Sequence, residues 1–205
     1  MAAVTKKETK ETPYDGVMRR HRNPSDGLWH VPITQGGSYV SADAEEVITT
    51  VLGSCIAACL RDPVAGVGGM NHFLLPEGRG GDRLEMRYGA NAMELLINGI
   101  LRRGGERERL EAKIFGGANV MAGLFDVGAK NAAFARAYLA DEGIPIVGGD
   151  VGGTLPRRVQ FSPVTGKARQ LTIAQDAQGV FDSEIKRVRQ SPGGEPQRGN
   201  DVELF

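Results

Sequence analysis

Glu46-Val47-Ile48-Thr49-Thr50-Val51-Leu52-Gly53-Ser54-Cys55-Ile56-Ala57-Ala58-Cys59-Leu60 is a long β-favouring run with a single small-residue break. The β-branched residues from Val47 to Val51 favour extended backbone, so Glu46 to Leu52 reads as a strand. Cys55 to Leu60 reads as a second strand. Arg61-Asp62-Pro63-Val64-Ala65-Gly66 is turn chemistry. Val67 to Leu75 reads as a third strand, ended by Pro76. A compact turn makes the second and third strands antiparallel. With the turn centred between Pro63 and Val64, cross-strand partners have numbers summing to about 127, and Cys55 plus His72 is 127. That register sets a thiol and an imidazole opposite each other, with Cβ atoms about 5 Å apart.

Further along, Met93, Leu96, Ile97, Ile100 and Leu101 repeat at helical spacing. Asn91 with Glu94 gives a capping-box-like start, and Gly104 a stop. Leu110 to Phe115 reads as a strand leading into Gly116-Gly117. A second helix is expected over Asn131 to Glu142, with Gly143 as its stop. Ile144 to Val147 reads as a strand. Arg158 to Phe161 and Ala168 to Ile173 read as a hairpin over Ser162-Pro163-Val164-Thr165-Gly166. Strands in antiparallel runs with two good helices point to an α/β (α+β) layered sandwich.

Outside this core, residues 1–40 read as an N-terminal arm, partly disordered, whose Trp29 and Val31 can dock on the core. Residues 41–190 form the expected catalytic domain, and 191–205 a flexible C-terminal tail ending in the apolar tip Val202-Glu203-Leu204-Phe205. That tip reads as a frayed end or a short docking peptide.

The chain has 205 residues, with 25 basic and 25 acidic side chains, so its formal charge is zero. Nothing in that balance favours nucleic acid or an anionic membrane as partner. No apolar run reaches the roughly 18 residues that span a bilayer, and the N-terminus lacks the apolar core of a signal peptide. Cys55 and Cys59 are the two cysteines. Four residues apart on one strand, they stand about 13 Å from each other. A disulfide needs Cα atoms within about 7 Å, so both read as reduced thiols of a cytoplasmic protein.

Thiol and imidazole together are the minimum equipment for covalent acyl chemistry. A neighbouring imidazole raises the thiolate fraction and can later protonate a leaving amine. Thr49, on the preceding strand, offers a hydroxyl to the second ring nitrogen. Gly53 and Ser54 place a small-residue turn before the cysteine, whose backbone N–H groups can hold an oxyanion. Cys59 reads as a small buried hydrophobe. His21 and His30 have no paired base or ligand. A metal site on Cys55, Cys59 and His72 has only three clustered ligands and no Cys-x-x-Cys spacing. Gly148-Gly149-Asp150-Val151-Gly152-Gly153-Thr154 lacks the lysine of a phosphate loop and reads as close backbone packing or as part of the site's rim.

These residues carry a family resemblance. Thr49-Thr50-Val51-Leu52-Gly53-Ser54-Cys55, Leu60-Arg61-Asp62-Pro63 and Gly68-Gly69-Met70-Asn71-His72-Phe73-Leu74-Leu75-Pro76 resemble the signature of CheD, the chemoreceptor glutamine deamidases. Ala112-Lys113-Ile114-Phe115-Gly116-Gly117-Ala118, Val127-Gly128-Ala129-Lys130-Asn131 and Asp150-Val151-Gly152-Gly153 extend the likeness over roughly residues 40 to 175. It implies a Cys-His-Thr triad on Cys55, His72 and Thr49, and a fold similar to the catalytic domain of cytotoxic necrotizing factor toxins. Thr50 stands where the pattern more often has an apolar residue, so two hydroxyls compete; the six-residue separation from the cysteine favours Thr49. The resemblance further implies hydrolysis of receptor glutamines through a cysteine thioester, without a cofactor or metal. It implies chemoreceptors and a CheC-like phosphatase as partners, with no nucleic acid and no membrane insertion. A competing reading is an adaptor that mainly binds receptors or the phosphatase; the intact Cys55, His72 and Thr49 favour enzymology.

Overall fold

The computed structural model describes residues 16–75, 81–119, 127–173 and 202–204. Its strands form two sheets. The first runs β1 (His21–Arg22), β2 (Trp29–Pro32), β4 (Glu46–Leu52), β9 (Arg157–Phe161), β10 (Ala168–Thr172) and β11 (Val202–Leu204). The second runs β3 (Ser38–Ser41), β6 (Val67–Asn71), β5 (Ile56–Asp62), β7 (Glu111–Gly116) and β8 (Ile146–Val151). Helices α1 (Gly81–Leu101) and α2 (Val127–Asp141) cover the second sheet.

Alternation along β5 explains the layering. Ala57 and Cys59 face the first sheet, packing with Ile48, Leu52, Met70, Phe115 and Phe161. Ile56, Ala58 and Leu60 face the helices, packing with Met93, Leu96, Ile97 and Ile100. The middle sheet is therefore buried on both faces, which is why β5 is apolar at nearly every position. The expected layered α/β sandwich is the fold observed, as sheet, sheet and helices.

Several sequence expectations shift. β4 keeps its bounds. Strand β5 starts at Ile56 and β6 ends at Asn71, so Cys55 and His72 both lie just outside regular strand. Asn71 ends the ladder by using its side chain, its Oδ1 accepting from Ala58 N at 3.0 Å. Helix α1 begins ten residues before Asn91, which is an exposed interior residue rather than a cap. The apolar repeat legible in the sequence begins only at Met93, so the start of the helix carries no such signal. Gly104 and Gly143 end the helices as expected. Each has positive φ (91° and 69°), with the paired backbone bonds of a Schellman cap: Gly105 N and Gly104 N to Ile100 O and Leu101 O, and Ile144 N and Gly143 N to Leu139 O and Ala140 O.

The expected arm is built into both sheets from residue 21 onward. β2 pairs in parallel with β4, and β3 pairs antiparallel with β6. Buried Glu46 anchors this segment, taking Arg20 Nη1 at 2.8 Å and the Tyr39 hydroxyl at 2.9 Å. Strands of two to four residues are too short to show a period, so pairing alone reveals them. At the other end, Val202–Leu204 pairs with β10, where a flexible tail was expected. Residues 1–15, the strand end at Pro76 and the rest of the tail lie outside the described residues.

Candidate active site

The β5–β6 turn sets the site's register. Asp62 Oδ1 accepts from Val64 N (2.8 Å) and Ala65 N (3.0 Å), and Gly66 N closes onto Asp62 O at 3.0 Å. Arg109 and Glu106 N bind the same carboxylate, and the Arg109 guanidinium holds it well below the usual carboxylate range. Asp62 pairs with Val67 across a four-residue turn. Partners therefore sum to 129, not 127: Leu60 faces Gly69, and Ile56 faces Phe73. His72 is level with Ala57, and Cys55 is its diagonal neighbour on the same face rather than its direct partner.

Three carbonyls fix the segment carrying Cys55. Gly53 O accepts from Ala118 N (2.9 Å) and Cys55 O from Gly117 N (2.8 Å). Ser54 O accepts from Asn131 Nδ2 at 2.9 Å. Asn131, fully buried on α2, also accepts from Leu75 N at 2.9 Å, so one side chain clamps the segments carrying the cysteine and the histidine. Gly116 is required here. Its φ is 107°, and a Cβ would sit 2.1 Å from the Cys55 carbonyl oxygen. The glycine-rich segment after β8 backs this wall, with Gly152 N bound to Gly116 O and Asn119 N to Gly153 O, each at 2.8 Å.

His72 is buried, and its Nδ1 lies 2.8 Å from Thr50 Oγ1. The Thr50 hydroxyl has one proton and gives it to Ile33 O at 2.9 Å. It must then accept from His72, which places the ring proton on Nδ1 and leaves Nε2 a bare acceptor. His72 Nε2 is buried with no hydrogen-bond partner among the described residues. Thr49 carries no part of this. Successive side chains of a strand point to opposite faces, and Thr50 shares the inner face with Ile48 and Leu52. Thr49 points outward, and the Thr49 expectation is corrected to Thr50 by that alternation.

Burial pushes the Cys55 thiol up to about 11, partly offset by its own backbone amide, and lowers His72 to about 4. Both groups are therefore neutral near pH 7. Cys59 is fully buried between the sheets, which pushes its thiol up as well, and both cysteines are free.

Sequence reasoning passed over two residues. Asn131 lies inside a quoted motif but has no chemistry-bearing pattern. Gln35 lies in the expected arm, where only Gly36-Gly37 marked a turn. Its Oε1 accepts from Cys55 Sγ at 3.8 Å.

A family described as CheD chemotactic sensory transduction matches residues 74–172. A Caulobacter sp. (strain K31) protein named probable chemoreceptor glutamine deamidase CheD is 54% identical, over 90% of this chain and 97% of its own. Proteins of the same name from Acidiphilium cryptum and Agrobacterium fabrum are 53% and 50% identical, over 79% and 85% of this chain and 88% and 96% of theirs. Among solved structures, a Neisseria meningitidis DUF152 protein matches at TM-score 0.42 and 15% identity, over 64% of this chain and 66% of its own. Identity of this extent, across nearly the full length of both chains, makes this chain a member of the CheD family.

Proposed function

We propose that this protein deamidates specific glutamines of chemoreceptors to glutamate, with Cys55 as nucleophile, His72 as general base and acid, and Thr50 as the residue that positions the histidine. The observation that carries the reading is the bare Nε2 of His72. That nitrogen is buried, its ring proton is held on the other nitrogen by Thr50, and the strand register sets His72 one diagonal step from Cys55 on the same face.

With both groups neutral at rest, the thiol gives its proton to Nε2 as sulfur attacks the carboxamide carbon. Burial keeps either ion from forming beforehand. The N–H groups of Ser54 and Cys55 suit the oxyanion. In a trans peptide the N–H points opposite the preceding carbonyl, and the carbonyls of Gly53 and Ser54 are both tied down. These donors are thus fixed before substrate arrives. His72 returns its proton to the departing ammonia. A water molecule activated by the same nitrogen then hydrolyses the thioester, leaving glutamate and the free thiol.

The names of the relatives support chemoreceptors as substrate. We place the protein in the cytoplasm as part of this proposal; the chemoreceptor substrate and two free thiols support it. Among the described residues no helix is long and apolar enough to cross a membrane. A CheC-like phosphatase is a further proposed partner, suggested by the family. A purified receptor fragment incubated with the protein is expected to release ammonia, and Cys55→Ala and His72→Ala are each expected to abolish release while the far-UV circular dichroism stays unchanged. Full release by Cys55→Ala refutes the covalent reading and leaves the adaptor one.

A further inference from the structure

Among the described residues, the side chain hydrogen-bonded to the Cys55 sulfur is itself a primary carboxamide, the functional group of the proposed substrate. Gln35 occupies the second position of a tight turn in which Gly37 N bonds to Thr34 O at 2.9 Å and Gly36 has φ of 84°. The turn is tied to the catalytic groups. Gly36 N donates to His72 O (2.7 Å), His72 N donates to Gly37 O (2.9 Å), and the adjoining Ile33 O takes the Thr50 proton. The backbone is thus fixed to His72 and Thr50, while the Gln35 side chain is exposed and able to swing.

We infer that Gln35 reads the incoming carboxamide and separates glutamine from its product, glutamate; this rests on the deamidase reading above. The sulfur carries one proton and directs it at Gln35 Oε1, so the neutral thiol turns the acceptor end of Gln35 toward the attack position. A substrate carboxamide brought to the sulfur lies beside that oxygen and offers it an N–H. Glutamate offers only acceptor oxygens there, and an acceptor facing an acceptor is unpaired and repelled. Hydrolysis thus converts a matched pair into a mismatched one and favours release.

The test compares KM for a glutamine-containing receptor fragment with Ki for the same fragment carrying glutamate, in wild-type protein and in Gln35→Ala and Gln35→Glu variants. In wild type, Ki is expected to exceed KM by at least about tenfold, the difference typical of one matched polar contact. Gln35→Ala is expected to bring the ratio within about threefold of unity. Gln35→Glu retains the acceptor and is expected to keep the ratio at or above the wild-type value, chiefly by weakening affinity for the glutamate fragment. Circular dichroism checks that each variant is folded. A wild-type ratio near unity, or a Gln35→Ala ratio equal to wild type, overturns the inference. So does a loss in kcat alone, which would make Gln35 an oxyanion donor. Absence of ammonia release from wild type overturns the deamidase reading and this one with it; release with unchanged discrimination overturns this one alone.

Discussion

At Thr50 one hydroxyl proton decides the state of the histidine. Because it goes to Ile33 O, His72 must donate from Nδ1, and the basic lone pair is left on Nε2. Thr50→Val leaves a buried ring N–H unpaired and frees the tautomer. It is expected to lower kcat about 10²-fold, the usual size of one acid–base contribution, and Thr50→Ser is expected to restore most of it. Thr49→Val, on the outer face, is expected to stay within about threefold of wild type, since it removes no contact to the imidazole. Steady-state ammonia release measures all three. That Cys55 and His72 come to one face of adjoining segments was legible from their separation across the turn, though as diagonal neighbours rather than direct partners. The hydroxyl was not, because two adjacent threonines differ only in the face they present, and the sequence leaves that face open.

The wall behind Cys55, the proposed nucleophile, is built by elements rather than by side-chain chemistry. The Gly116-Gly117 turn at the end of β7 takes the Cys55 carbonyl, and α2 supplies Asn131. Gly116→Ala puts a methyl group where 2.1 Å separates it from a carbonyl oxygen, at a φ of 107°. It is expected to cost about 2 kcal/mol or more of stability and, by shifting the sulfur, about 10²-fold in kcat. Urea denaturation and ammonia release check the two effects. At this scale β4 and the Gly104 and Gly143 helix stops were readable, because each has a local cause: β-branched residues, or a glycine required at positive φ. The register of β5 and β6 was misjudged by two because Asp62 holds a turn of four residues, and the side-chain bonds that choose its length leave no periodic trace. The start of α1 was missed because the apolar repeat in the sequence begins only at Met93.

Across the whole molecule, the site lies where the two sheets, the β2–β3 turn and α2 converge, so catalytic geometry and stability are linked. His72 shows the linkage in its pH dependence. Its folded value of about 4 lies below the ordinary 6.5, owing to burial, so the unfolded chain binds its proton more readily. Its contribution is fully present above about pH 6.5 and is lost as pH falls through 4. The change is on the order of 3 kcal/mol across that window, and His72→Gln is expected to flatten it in denaturation midpoints measured from pH 4 to 7. The two-sheet core and its helices were foreseeable from alternating strands and one clear helix. The incorporation of residues 21–41 was not, since three short strands gain their stability from pairing, β1 with β2, β2 with β4 and β3 with β6, rather than from their own pattern.

The most direct measurement is mass spectrometry of chemoreceptor fragments after incubation with wild-type protein and with Cys55→Ala. A gain of about one dalton at specific glutamines, the difference between an amide and a carboxyl group, is expected with wild type and not with the variant. No gain with folded wild-type protein, or an equal gain with Cys55→Ala, would contradict deamidation through the cysteine.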